Sequence, residues 1–366
     1  MEKRVSMLLL LMAVFVLSDV ADRKATARVT LSGIDRKLNL LNKPAVKSIK
    51  SEDGDIIDCV DINKQPAFDH PALRNHKIQM MPSFDQPTEK IDTRNESSQP
   101  VIQQTWQKSG SLSGGNSSNS QNPLQAAACC MHMTEIYSCC CCLTFLDLLT
   151  RLFSLNQSAI QVTVGYNYIG AQGDINVWNP TVDLPDDYTT GQIWLKAGPG
   201  DNFESVEAGW VVNPKLYGDH ATSGGPQYYI PIGMYLDPNT GNWWLKVGPK
   251  YEVVVGYWPK ELFGYLSHSA TMVEWGGEVY STNVKKGPPH TKTQMGSGSI
   301  AQTLEGSAAS IVHVRIIDYS LQVKYPEWVG TGSDEQYCYS ALNYVPGYMV
   351  EPVFYFGGPG QGPQCN

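Results

Sequence analysis

The sequence predicts an all-β protein, an antiparallel β-sandwich preceded by a small prodomain. Three observations carry that expectation. From Gln161 onward, short β-branched and aromatic runs alternate with Gly, Pro, Asn and Asp, as in "DPNTGN", the pattern of strands joined by tight turns. Gly (33), Pro (23), Tyr (19) and Trp (9) are abundant, which favours strands and turns over helices. Hydrophobic residues make up 42% of the 366 residues and charged ones only 17%, enough apolar side chain for a sizeable core.

Residues 1–21 read as a signal peptide. Lys3 and Arg4 precede the apolar run "VSMLLLLMAVFVL", which is too short for a comfortable membrane span. No later stretch is long and apolar enough to cross a membrane, so no membrane partner is expected. The mature protein is expected to be secreted, extracellular or vacuolar, in an oxidising compartment. Sequons at Asn95, Asn116 and Asn156 are the expected glycan acceptors on that route. Residues 28–108 read as a small prodomain or a disordered arm, with a short amphipathic helix expected around Ile34 to Leu41. Residues 109–160 combine a Ser/Gly/Asn linker with an irregular Cys-rich insert, which holds Cys129, Cys130 and Cys139 to Cys142. Consecutive cysteines present tetrahedral geometry poorly, so they and His132 are not read as a metal site. No metal or cofactor is expected. Residues 161–366 form the sandwich. Within it, "WPKELFGYLSHSA" is the one helical turn expected, packing Leu262, Phe263 and Leu266. Cys338 and Cys365 flank the last strand and are expected to pair, closing a loop worth about 3 kcal/mol. Cys59 has no obvious partner outside the Cys-rich insert.

The net charge of −8 gives no basic footprint, which argues against nucleic acid. No phosphate-cradling glycine loop, zinc-ligand spacing or G-x-S-x-G elbow is visible. The carboxylates are more informative. In "SVEAGWVV", alternation puts Val206, Ala208, Trp210 and Val212 on one face, with Glu207 beside Ser205, Gly209 and Val211 on the other. Gly209 is expected to leave room there for a ligand backbone. In "GQIWLK", Gln192 and Trp194 share a face. In "MVEWGGEVY", Met272, Glu274, Gly276, Glu278 and Tyr280 share a face unless the glycine pair forms a bulge. A lone strand carboxylate is most often a solvated outer-face residue. Acid beside glycine in an aromatic strand, twice over, favours a pair. Two carboxylates held close share a proton, so that one serves as base and the other as acid. Such a pair can hydrolyse amides or glycosidic bonds. The same aromatic sandwich could instead bind a cell-wall glycan or a Pro-rich peptide without catalysis.

"QIWLKAG", "VEAGWVVNPKLYGD", "DPNTGNWWLKVG", "VVGYWPKELFGYLSHSATMVEWGGEVYS", "HTKTQMGSG" and "VEPVFYFGGPGQGPQC" together resemble the plant neprosin family. Upstream, "SEDGDIIDCVDINKQPAFDHPALRNHKIQMMPS" resembles that family's activation peptide. The resemblance covers most of the chain outside residues 109–160. It implies a secreted glutamic peptidase, made as a zymogen and active in acid, that cleaves protein or peptide substrates after proline. Its own prodomain would be its inhibitor, covering the cleft until acid releases it. By motif, Glu207 in "VEAGW" and Glu278 in "EWGGEV" are the implied catalytic pair, with Glu274 the alternative second acid. Gln192 in "QIW" matches a glutamine placed to donate to the oxyanion. Trp194 and Tyr280 are the aromatic residues that would pack on a proline ring. Against the family pattern, the connection "HATSGGPQYYIPIGMYL" is short, which predicts missing strands and a cleft opened on one side.

Overall fold

A computed structural model describes residues 43–50, 56–84, 127–129, 156–200, 202–213, 220–284 and 289–365. The signal peptide, the Ile34 to Leu41 helix, Asn95, Asn116, His132 and Cys139 to Cys142 lie outside these residues. Three short strands, β1 (Ala45–Lys50), β2 (Ile56–Asp61) and β3 (Ala127–Cys129), form a small antiparallel sheet. Twelve more strands form one large antiparallel sheet. They are β4 (Asn156–Asn176), β5 (Tyr188–Ala197), β6 (Glu204–Val212), β7 (Tyr229–Leu236), β8 (Trp243–Val247) and β9 (Val253–Trp258), followed by β10 (Ala270–Tyr280), β11 (Ala309–Asp318), β12 (Val323–Lys324), β13 (Gly330–Ser333), β14 (Ser340–Tyr344) and β15 (Val353–Gly357).

The long β4 turns this one sheet into two layers. Gly165 sits in the left-handed region at φ +103°, where a side chain would be strained. It divides the strand. The first half of β4 pairs with β10 and β13, and the second half with β7 and β11. One layer therefore runs β6-β5-β10-β4, and the other continues through β11 to β15 and β14, with β7, β8 and β9 attached. β4 begins at Asn156, ahead of the expected boundary at Gln161. Gln157, Ala159 and Gln161 are all fully buried, so the polar start of the strand already packs inward.

Alternation places the large aromatics between the layers. Trp210, Trp243, Trp275, Tyr168, Phe354 and Phe356 are all buried in one cluster. These three indoles find acceptors. Trp210 Nε1 donates to Asn176 O (3.0 Å), Trp275 Nε1 to Gln172 O (3.1 Å) and Trp243 Nε1 to Leu266 O (2.9 Å). The expected helical turn is a short 3₁₀ turn over Lys260–Leu262, with Leu266 buried beyond it. Cys338 and Cys365 come together with Cα atoms 5.0 Å apart and sulfurs at bonding distance. Cys59 is disulfide-bonded and lies opposite Cys129 in the β2–β3 register.

The N-terminal segment is docked on the large sheet. Both ring nitrogens of His76 are engaged, Nε2 with the Tyr257 hydroxyl (2.8 Å) and Nδ1 with Glu261 Oε2 (3.2 Å). Asp237, at the end of β7, accepts from Ser83 N (2.7 Å), Ser83 Oγ (2.8 Å) and Gln79 Nε2 (3.0 Å). Burial pushes the Asp237 carboxyl upward, but the hydrogen bonds from Ser83, Gln79 and Asn239 outweigh it and hold the group below its ordinary 3.8. A depressed folded value means that this docking is at full strength above 3.8 and is lost only as pH falls below it. Mild acid should therefore leave the Asp237 contribution to the docking in place. Asp237→Ala should expose residues 79–84 of the full chain to protease at least about tenfold faster, because several charge-assisted hydrogen bonds vanish together. An unchanged nicking rate would show that the segment is held elsewhere.

Candidate active site

The strand register assembles an acidic face on β6, β5 and β10. Trp194 on β5 lies opposite both Glu207 on β6 and Glu274 on β10. One step along β5 on the same face, Gln192 lies opposite Gly209 and Gly276. One step further, Thr190 lies opposite Glu278, and Tyr188 lies opposite Tyr280. The register runs unbroken through Gly276–Gly277, so no bulge interrupts the alternation. Gln192 therefore stands between the rows that carry Glu207 and Glu278, with a glycine on either side.

Those glycines serve strand contact rather than ligand space. A Cβ on Gly209 would sit 2.1 Å from Gly191 O, and one on Gly276 would sit 2.1 Å from Ala159 O. The room expected at Gly209 is filled by the β5 backbone. What the glycines provide is a close, side-chain-free border around the Gln192 amide.

The two acids have different surroundings. Glu207 accepts from Ser205 Oγ (2.6 Å) and, over a longer contact, from Gln192 Nε2 (3.4 Å). Burial pushes its carboxyl above the ordinary value. The Ser205 bond, the Lys196 charge and a hydrogen bond from Trp194 counteract that shift, and Glu274 adds to it. Glu278 accepts from Asn156 Nδ2 (2.9 Å). Burial, then the negative charge of Glu207, push its carboxyl up to about 8. Glu274 is tied to Lys196 by an ion pair. Of the three acids on this face, Glu274 is the one in an ion pair, and Glu278 is the one raised by the charge of Glu207.

The aromatic residues differ from the sequence expectation. Trp194 is 3% exposed and bonds Glu207, so it supports the acid rather than offering an open platform. Tyr280 is half-buried and stacks on Tyr188, with ring centroids 5.1 Å apart and planes 8° apart. The expected glycan at Asn156 meets a conflict, because the nitrogen that would carry it donates to Glu278. Sequence reasoning passed over Lys196 and Tyr188, named Ser205 only as a face neighbour of Glu207 and read Asn156 only as a glycan acceptor. Ser205, Lys196 and Tyr188 share the parity of Glu207 and Gln192 on their own strands, a signal that was present. Asn156 was masked by its sequon.

Among the described residues, His290, Glu335, Cys338 and Cys365 are the group whose ligand atoms converge, within 4.8 Å. The two cysteine sulfurs are bonded to each other and offer no thiolate to a metal. No helix among the described residues is long and apolar enough to cross a membrane.

A family model described as Neprosin matches residues 185–223 and 220–359, and a model described as Neprosin activation peptide matches residues 48–117. The two Neprosin segments meet at 220–223, inside the region where the short connection predicts missing strands. β6 ends the strand order of the large sheet among the described residues. The activation-peptide match makes the docked N-terminal segment a regulatory partner of the sheet domain. Its contacts through His76, Gln79 and Ser83 go to Asp237, Tyr257 and Glu261, on and beside β7 and β9, and not to the strands that carry Glu207 and Glu278. With the activation peptide and the Neprosin match following one another along an antiparallel β protein, the chain belongs to the neprosin family.

Proposed function

We propose that this chain is a secreted glutamic endopeptidase, made as a zymogen, that cleaves proline-containing peptides by activating water between Glu207 and Glu278. One observation carries the reading. Two half-buried carboxyls share one face but differ in surroundings, and that difference pushes their proton affinities apart. Glu207 has three neutral donors and a nearby lysine, so it is the member that ionises first. It takes the proton from water, which then attacks the scissile carbonyl carbon. Glu278 keeps its proton, polarises the carbonyl and then protonates the leaving nitrogen. The Gln192 amide lies between the two acid rows and donates to the oxyanion as it forms. The Tyr188–Tyr280 stack borders Glu278 and offers apolar surface to a proline ring. The activation peptide acts as the inhibitor through residues beyond those docked at Asp237.

The working form has Glu207 ionised and Glu278 protonated. Turnover should rise with pH through the Glu207 value, which lies above 4.5, and fall again near pH 8 as Glu278 ionises. The test is incubation of the secreted chain with a proline-rich peptide from acid to mildly alkaline pH, read by mass spectrometry. A bell-shaped profile with cuts after proline is expected. Cleavage that keeps increasing above pH 8 would overturn the acid–base assignment. The Tyr188–Tyr280 stack also suits a second reading, a non-catalytic module for a cell-wall glycan or Pro-rich peptide. Binding of the peptide without any cleavage would favour it.

A further inference from the structure

Asn156 is the first residue of β4 and lies opposite Tyr280 in the β10 register. Its Nδ2 donates to Glu278 Oε1 at 2.9 Å, and its side chain also bonds the Tyr188 hydroxyl. Its Oδ1 is buried and takes no hydrogen bond among the described residues. The amide is therefore anchored through its nitrogen alone, at the cost of a buried acceptor left unsatisfied. The position also coincides with an Asn-Gln-Ser sequon, whose glycan would have to replace a hydrogen on that same nitrogen.

We infer that Asn156 is a positioning residue for Glu278, fixing the carboxyl beside Tyr188, and that it carries no glycan in the folded protein. The inference rests on the peptidase reading only for its kinetic consequences. A neutral donor bonds a carboxylate more strongly than a carboxylic acid. Asn156, together with the Lys196 charge, therefore opposes burial and the neighbouring carboxylates around Glu278 and keeps the acid able to give up its proton. Those influences come from every neighbouring element. Glu207 approaches from β6, Lys196 and Tyr188 from β5, Glu274 and Tyr280 from β10 itself, and Asp334 from the turn after β13. On β4 the neighbours are the neutral Asn156 and Ser158. Asn156 is the donor nearest the Glu278 oxygen, and Tyr188 holds it there.

The test compares the full chain with its Asn156→Leu form, which removes the donor, and its Asn156→Asp form, which removes the donor and adds a carboxylate beside Glu278. Two readouts are taken together, the pH profile of peptide cleavage and the carbon-13 titration of the Glu278 carboxyl. Both variants are expected to move the Glu278 midpoint, and with it the alkaline limb of the profile, upward by about one pH unit. The same variants should lower kcat about tenfold with KM little changed. Mass spectrometry of the secreted wild type should find Asn156 unmodified. A midpoint that stays in place in Asn156→Leu, or a glycan on Asn156 of the folded protein, would overturn the inference. If the wild type fails to cleave, the peptidase reading falls, and the Glu278 titration still decides the role of Asn156.

Discussion

Glu207→Gln is expected to lower kcat/KM for a proline-containing peptide by at least about 10³-fold, or roughly 4 kcal/mol of transition-state stabilisation. Glutamine keeps the shape and can still bond Ser205, but it cannot take a proton from water. Glu278→Gln should cost a similar factor, because the leaving nitrogen loses its acid. Glu274→Gln is the control. Its carboxylate is held by Lys196, and its loss should leave turnover within about tenfold. An inactive Glu274→Gln with an active Glu278→Gln would reverse the assignment of the second acid. A stability measurement would test the same assignment without substrate. Glu278 is raised from 4.5 to about 8 on folding. The folded state thus holds that proton more tightly than the unfolded chain, and stability falls as pH rises between those values. Glu278→Gln should therefore raise the melting temperature at pH 8 and leave it nearly unchanged at pH 4. No gain at pH 8 would mean that Glu278 is not a buried acid.

Gly276→Ala should destabilise the sheet domain by about 3 kcal/mol or more, which for a domain of this size lowers Tm by about 10 °C. The added Cβ would lie 2.1 Å from Ala159 O and 2.9 Å from Ile160 Cα. Both are backbone atoms, so the β10–β4 pairing itself must open. The residue also sits at φ +156°, a conformation that side chains disfavour. Gly330→Ala on β13 is the matched comparison. Its nearest contact would be Val162 Cγ1 at an ordinary 3.7 Å, and it should cost under about 0.5 kcal/mol. Equal melting temperatures for the two variants would show that the glycine pair in "EWGGEV" is not a packing requirement. Because Gly276 borders the Gln192 amide, any folded Gly276→Ala protein should also lose activity.

The regular strands of the domain, and the faces they present, could be read directly from the chain. Period-two alternation in "SVEAGWVV" separated Trp210 from Glu207, and the structure keeps them apart, one in the core and one on the acidic face. That inference needs nothing but pleat geometry, which is local. The same logic placed Gln192, Glu274 and Glu278 on a common face once the glycine pair proved regular.

The sequence by itself determined the strand-rich class, the parity of each candidate side chain and, through its motifs, the family. Only the tertiary structure decided which acids meet and in what surroundings. Strand neighbours far apart along the chain set that outcome. Lys196 pairs with Glu274, Asn156 reaches Glu278 across β10, and Trp194 is buried against Glu207. Likewise, "HKIQMMPS" carries no sign that His76 and Ser83 dock on Tyr257 and Asp237. A carboxyl's proton affinity depends on burial and on charges within a few ångströms, and those distances exist only once the sheet has curled.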